Sequence, residues 1–124
     1  MNTYNKEGTK QTPQINFDLK SGTLLIKGRS VPENTIEFYK DLLKVLDEYS
    51  NAPAQITTVD IELEYFNTPT SSVILNVFKT LESIQNAGNK VQVNWNYVDE
   101  DILDSGQDYQ RVSNIPIKMV EVQE

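Results

Sequence analysis

A chain of 124 residues, 38% hydrophobic and 23% charged, has the make-up of one globular domain with a single sizeable core and is too apolar to be disordered. It contains neither cysteine nor histidine, which excludes disulfides, thiolate chemistry and every Ser-His or Cys-His dyad, and removes the commonest zinc ligand. The net charge of −7 argues against nucleic acid or an anionic membrane as the main partner and leaves proteins and small ligands.

Residues 1–12 are polar and irregular and read as a loose N-terminal arm within a single domain spanning 1–124. The first seven residues, Met1 to Glu7, lack the hydrophobic region of a secretory signal. No apolar run approaches the roughly 20 residues of a membrane helix, so a cytoplasmic protein without a membrane partner is expected.

Ile15, Phe17 and Leu19 alternate with Asn16, Asp18 and Lys20, the period of a half-buried strand. Ser21-Gly22 supplies a turn, and Thr23 to Gly28 reads as the return strand of a hairpin. Asn34 is a helix N-cap with Glu37 in the capping-box position. Tyr39, Leu42, Leu43, Leu46 and Tyr49 then mark one apolar helix face, which Asn51-Ala52-Pro53 ends. Val59, Ile61, Leu63 and Tyr65 alternate with Asp60, Glu62 and Glu64 in a strand running to Phe66. In the second helix Thr68 is the expected N-cap and Pro69 the first helical residue. Ile74, Val77, Phe78, Leu81 and Ile84 form its stripe, and Gly88 stands just past its end. Val91, Val93, Trp95 and Tyr97 form another strand. Asp99 to Val112 reads as a short acidic helix broken near Gly106, and Ile115 to Val122 as the last strand, with Pro116 at its start.

The order is β-β-α-β-α-β-(α)-β. A parallel sheet covered on both faces would carry continuous apolar strands. The alternation here predicts instead a two-layer α/β fold, a mixed sheet with helices packed mainly on one face.

Few side chains in this chain carry chemistry. Asp60, Glu62 and Glu64 recur at every second position, the spacing of the solvent side of a strand; as catalytic carboxylates they would have to line a concave pocket. Asp99, Glu100, Asp101, Asp104 and Asp108 lack the spacing of a calcium loop. The glycines are too scattered to cradle phosphate. No catalytic group, metal site or cofactor is therefore expected. The remaining feature is Asn67-Thr68-Pro69-Thr70-Ser71-Ser72, a hydroxyl cluster where a strand meets the positive end of a helix. A cap at Thr68 accounts for one hydroxyl and leaves Thr70, Ser71 and Ser72 unexplained. Phosphate on one hydroxyl adds about −1.5 to −2 charges and three acceptor oxygens, which free amides and the helix dipole tolerate at that end. A partner shaped for a neutral hydroxyl would then meet a dianion. A constitutive binding module and a carboxylate-dependent enzyme are the two competing readings.

Five short motifs fall in a telling order: Gly8-Thr9 with Thr12-Pro13, Pro32-Glu33-Asn34, Tyr65-Phe66-Asn67-Thr68, Gly106-Gln107-Asp108-Tyr109 and Ile115-Pro116. In this order the chain, from about Gly8 to Val122, resembles the SiaC-like family of bacterial regulatory phosphoproteins. That family is similar in shape and logic to STAS-domain anti-anti-sigma factors, so the resemblance implies a STAS-like sheet. It also implies a threonine phosphorylated by a partner protein serine/threonine kinase and restored by a partner phosphatase. In the best-known system the unmodified form activates a diguanylate cyclase, placing such proteins in cyclic di-GMP signalling. Carried over by position, the acceptor is Thr68, with Asn67, Pro69, Thr70, Ser71 and Ser72 as the partner-binding surround. The chain departs from the family at one point: proline follows the threonine, and the lysine usual after the serines is missing.

Overall fold

The computed structural model describes residues 2–123. Nine elements follow in order: β1 (Thr3–Lys6), β2 (Gln14–Asp18), β3 (Thr23–Ser30), α1 (Thr35–Tyr49), β4 (Ile56–Phe66), α2 (Thr68–Asn86), β5 (Lys90–Tyr97), α3 (Glu100–Val112) and β6 (Ile117–Glu121). The strands make one six-stranded sheet in the order β1-β2-β3-β4-β5-β6. The first three pair antiparallel, and β3 to β6 pair in parallel.

This topology decides the layering. Each parallel connection steps to the next strand in the same direction, and such crossovers are right-handed in nearly every known case. The three helices therefore fall on one face. Inward-facing Phe17, Leu24, Ile61, Leu63, Val93 and Trp95 meet Leu42, Leu46, Phe78 and Leu81 in a single core. The opposite face is polar. One in-register row crosses all six strands there: Asn5, Asn16, Leu25, Asp60, Asn94 and Lys118. Two layers and a mixed sheet are thus as the alternating pattern implies.

Two stretches differ from expectation. Residues Thr3–Lys6 are not part of a loose arm; they form β1, in register with Ile15–Asp18. Only Tyr4 packs against the core, so no alternating pattern marks the strand, and it owes its form to pairing along the exposed edge of β2. The acidic helix is also unbroken at Gly106. A Cβ at Gly106 would stand 2.4 Å from Trp95 Cδ1. The glycine therefore lets α3 lie directly on the indole, whose Nε1 donates to the Ile102 carbonyl at 2.7 Å. The contact explains the glycine, and no break is needed.

Helix α1 is capped as expected, with the Glu37 amide donating to Asn34 Oδ1 at 3.1 Å. Among the described residues no helix is long and apolar enough to cross a membrane.

Candidate functional site

The C-terminal ends of β3 and β4 and the N-termini of α1 and α2 meet at one end of the sheet. The Asn67 amide donates to the Ser30 carbonyl at 3.0 Å, which ties the β4–α2 junction to the end of β3. Asn67 has extended backbone, φ −84° and ψ 171°, and its Oδ1 accepts from the Thr70 amide. The N-cap is therefore Asn67 and not Thr68. Asparagine is as good a cap as threonine, and Pro69 in the first turn removes only an amide that has no helical partner there. Thr68 becomes the first helical residue, exposed, with no side-chain hydrogen bond among the described residues.

The four hydroxyls of the cluster have different surroundings. Thr70 is 1% exposed, so it shapes the site from inside and cannot form part of a partner-binding surface as the structure stands. Its Oγ1 lies 2.6 Å from Asn67 Oδ1 and 2.8 Å from Ser30 Oγ, and Ser30 Oγ lies 2.6 Å from the Tyr39 hydroxyl. An amide oxygen only accepts, so Thr70 donates to Asn67, Ser30 to Thr70 and Tyr39 to Ser30. This buried chain of four side chains joins α1, the end of β3 and the start of α2. Burial pushes the Tyr39 phenol up to about 12, against the opposing pull of its Ser30 and Thr70 hydrogen bonds. Ser71 is half-buried and bonded to α3: its Oγ is 2.9 Å from the Tyr109 hydroxyl, which also donates to the Ser71 carbonyl at 2.9 Å. Burial raises the pKa of the Tyr109 phenol too, again opposed by its bond to Ser71. Ser72, like Thr68 and Pro69, is exposed.

Next to Pro69 and Ser72 runs a groove of about 520 Å³ between α1 and α2, walled by Ile36, Leu43 and Val73 among others. Among the described residues its single ionic lining residue is Lys40. Ile36 is 80% exposed. On the sheet side of the junction the Arg29 guanidinium stacks over the Tyr65 ring at 5.0 Å.

Pattern reasoning did not single out Ser30, Tyr39 or the groove. Tyr39 sits on the apolar stripe of α1, where its hydroxyl looks like core filling. Ile36, three residues before Tyr39 and seven before Leu43, continues the spacing of that stripe, so its 80% exposure was not legible in the pattern.

The acidic candidates lie elsewhere. Asp60 and Glu62 are on the open sheet face, where Asp60 accepts from Asn94 at 3.0 Å and Glu62 pairs with Lys27 at 3.7 Å. Asp60 borders a shallow depression that Glu62 and Glu64 do not line, so the three carboxylates do not converge. Asp99 caps α3 through the Ile102 amide at 2.9 Å, and Asp108 pairs with Arg111. Among the described residues no group of three or more acidic side chains is arranged to hold a metal ion.

Comparison with known proteins matches residues 6–122 to a family model described as SiaC family regulatory phosphoprotein. An uncharacterized protein of Pseudomonas aeruginosa (strain UCBPP-PA14) is 28% identical over 90 residues, covering 73% of this chain and 71% of its own. The crystal structure of apo-SiaC from P. aeruginosa superposes with a TM-score of 0.89 at 23% identity, over 97% of this chain and 99% of that one. The structure of the diguanylate cyclase SiaD in complex with its activator SiaC, from the same organism, gives 0.89 at 24% identity, over 96% and 99%. At that identity the likeness of structures speaks for the fold alone.

Proposed function

The chain belongs to the SiaC family of regulatory phosphoproteins, and from that premise we propose that Thr68 is its phosphoacceptor and that the state of Thr68 controls docking of a protein effector. A partner serine/threonine kinase transfers the γ-phosphoryl group of ATP to Thr68 Oγ1. The bond from the γ-phosphorus to its bridging oxygen breaks, the Oγ1–P bond forms, the hydroxyl proton leaves, and ADP is released. A partner phosphatase reverses the modification by hydrolysis, freeing inorganic phosphate. The unmodified form docks the effector, and a diguanylate cyclase is the candidate because the SiaC of P. aeruginosa is the activator of one. The reading takes the chain as a single regulatory domain that works in the cytoplasm on proteins and catalyses nothing itself.

One observation carries the proposal: Thr68 is exposed, with no side-chain hydrogen bond among the described residues, while Asn67 does the capping. Phosphate can therefore be added without uncapping α2, at the positive end of a helix that favours it. The fold stays and the surface changes. A dianion desolvated against a partner costs several kcal/mol, and each 1.4 kcal/mol or so is about tenfold in affinity.

The test is incubation with the partner kinase and ATP, followed by intact-mass measurement. Wild type and Ser72→Ala should each gain one phosphoryl group, and Thr68→Ala none. Undiminished labelling of Thr68→Ala would move the acceptor elsewhere, with Ser72 the first candidate as the other exposed residue of the hydroxyl cluster.

A further inference from the structure

The geometry points to the outer edge of β6 as a self-pairing surface, where a second copy of this chain adds its own β6 antiparallel about a two-fold axis at Val120. The inference stands apart from the reading of Thr68, which follows β4, two strands from that edge.

The sheet ends on β1 and β6, and these edges are unlike. β1 has four residues, polar but for Tyr4, and carries Lys6; short, polar, lysine-bearing edges discourage further pairing. β6 reads Ile117-Lys118-Met119-Val120-Glu121, with Val122 next. Such an apolar, β-branched run suits a strand with neighbours on both sides.

Backbone alternation shows which groups are available. The Pro116 carbonyl accepts from the Val93 amide, and the Val122 amide donates to the Tyr97 carbonyl. Lys118 and Val120 therefore also turn their backbone groups to β5, while Ile117, Met119 and Glu121 turn theirs outward. Helix α3 reaches over this edge at one point, where Gln110 Nε2 donates to the Ile117 carbonyl at 2.7 Å. Among the described residues no hydrogen bond reaches the outward groups of Met119 or Glu121.

Side chains then select the register. Centred on Lys118 or on Glu121, two copies would set like charges directly opposite each other, which destabilises the pair. Centred on Met119, the pairing would need the Ile117 carbonyl that Gln110 holds. Centred on Val120, Met119 and Glu121 of the two copies pair reciprocally through their free backbone groups. Val120 then meets its own copy, and Lys118 lies opposite Val122. Charge favours a second copy as the occupant. Lys118 and Glu121 cancel, so this edge is locally neutral on a chain of net charge −7, and two copies can approach there without local repulsion.

The new bonds replace bonds to water, so the dimer is weak, and the test traps it covalently. The chain has no cysteine. Val120→Cys sets two thiols in a non-hydrogen-bonded pair with Cα atoms about 4.5 Å apart, within disulfide reach. Lys118→Cys sets them about 14 Å apart. In a glutathione redox buffer, followed by non-reducing electrophoresis, Val120→Cys should crosslink about tenfold faster than Lys118→Cys, or more. Exposure alone would give the reverse order, because Lys118 is the more exposed position. Adding Met119→Pro removes an outward amide that an edge strand can spare, and should suppress the Val120→Cys crosslink without altering the thermal melt. The first comparison needs no proline and decides even if that variant unfolds. Crosslinking of Lys118→Cys as fast as Val120→Cys, or a Val120→Cys crosslink undiminished by Met119→Pro, would overturn the assignment. So would the absence of any crosslink in both single variants.

Discussion

Asn67 and Thr70 share two hydrogen bonds, with Asn67 Oδ1 accepting the Thr70 amide at 3.0 Å and the Thr70 hydroxyl at 2.6 Å. This pairing divides the labour at the start of α2. Asn67 and Thr70 hold the helix end in place through Ser30 and Tyr39, and Thr68 between them is exposed and takes no part in that chain of hydrogen bonds. The residue proposed as phosphoacceptor is thereby separate from the residues that hold the helix end.

Substitution at the two adjacent positions should give opposite results. Asn67→Ala removes the cap and the acceptor at the end of the buried chain, and should cost about 1–2 kcal/mol in urea unfolding. Thr68→Ala and Thr68→Asp should stay within about 0.5 kcal/mol of wild type. Equal losses at both positions would return the capping role to Thr68.

The Tyr39 phenol sets a pH limit. Below pH 10 it is protonated in both folded and unfolded chains, and stability does not depend on its titration. Between 10 and about 12 the unfolded chain ionises it while the folded chain does not. Stability is therefore lost as pH rises through that window, by about 2–3 kcal/mol at its upper end. Tyr39→Phe should be less stable than wild type at pH 7, because Ser30 loses its donor, and should show a shallower decline above pH 10. An unchanged alkaline slope would mean that the phenol does not couple to folding.

Gly106→Ala should destabilise the protein even though alanine favours helix. The added methyl would meet the Trp95 indole at 2.4 Å, and overpacking of that kind costs about 1–3 kcal/mol, against a propensity gain of about 1 kcal/mol. A net loss in the unfolding midpoint, with perturbed tryptophan fluorescence, is the expected result.

These sites also mark how far the sequence could be read. Strands β2 to β5 and helices α1 and α2 were legible because each carries a periodic apolar face against a one-sided core. β1 was not, because Thr3, Asn5 and Lys6 follow no pattern and the strand is defined by its partner. Gly106 read as a breaker because its reason is a tertiary contact with Trp95, which local pattern does not encode. The cap was misplaced by one residue because asparagine and threonine serve equally there and proline suits the first or second helical position. The hydroxyl cluster stood out as a group, yet its division into buried Thr70, bonded Ser71 and exposed Thr68 and Ser72 depends on Ser30, Tyr39 and Tyr109, all distant in sequence.

The central claim is that one phosphoryl group at Thr68 governs docking, and calorimetry of effector binding tests it most directly. Stoichiometrically phosphorylated protein, unmodified protein and Thr68→Ala would each be titrated with the diguanylate cyclase proposed as effector. The account predicts that the unmodified protein binds, that phosphorylation weakens binding by about tenfold or more, and that Thr68→Ala binds alike before and after kinase treatment. Equal affinity of the phosphorylated and unmodified forms would contradict it.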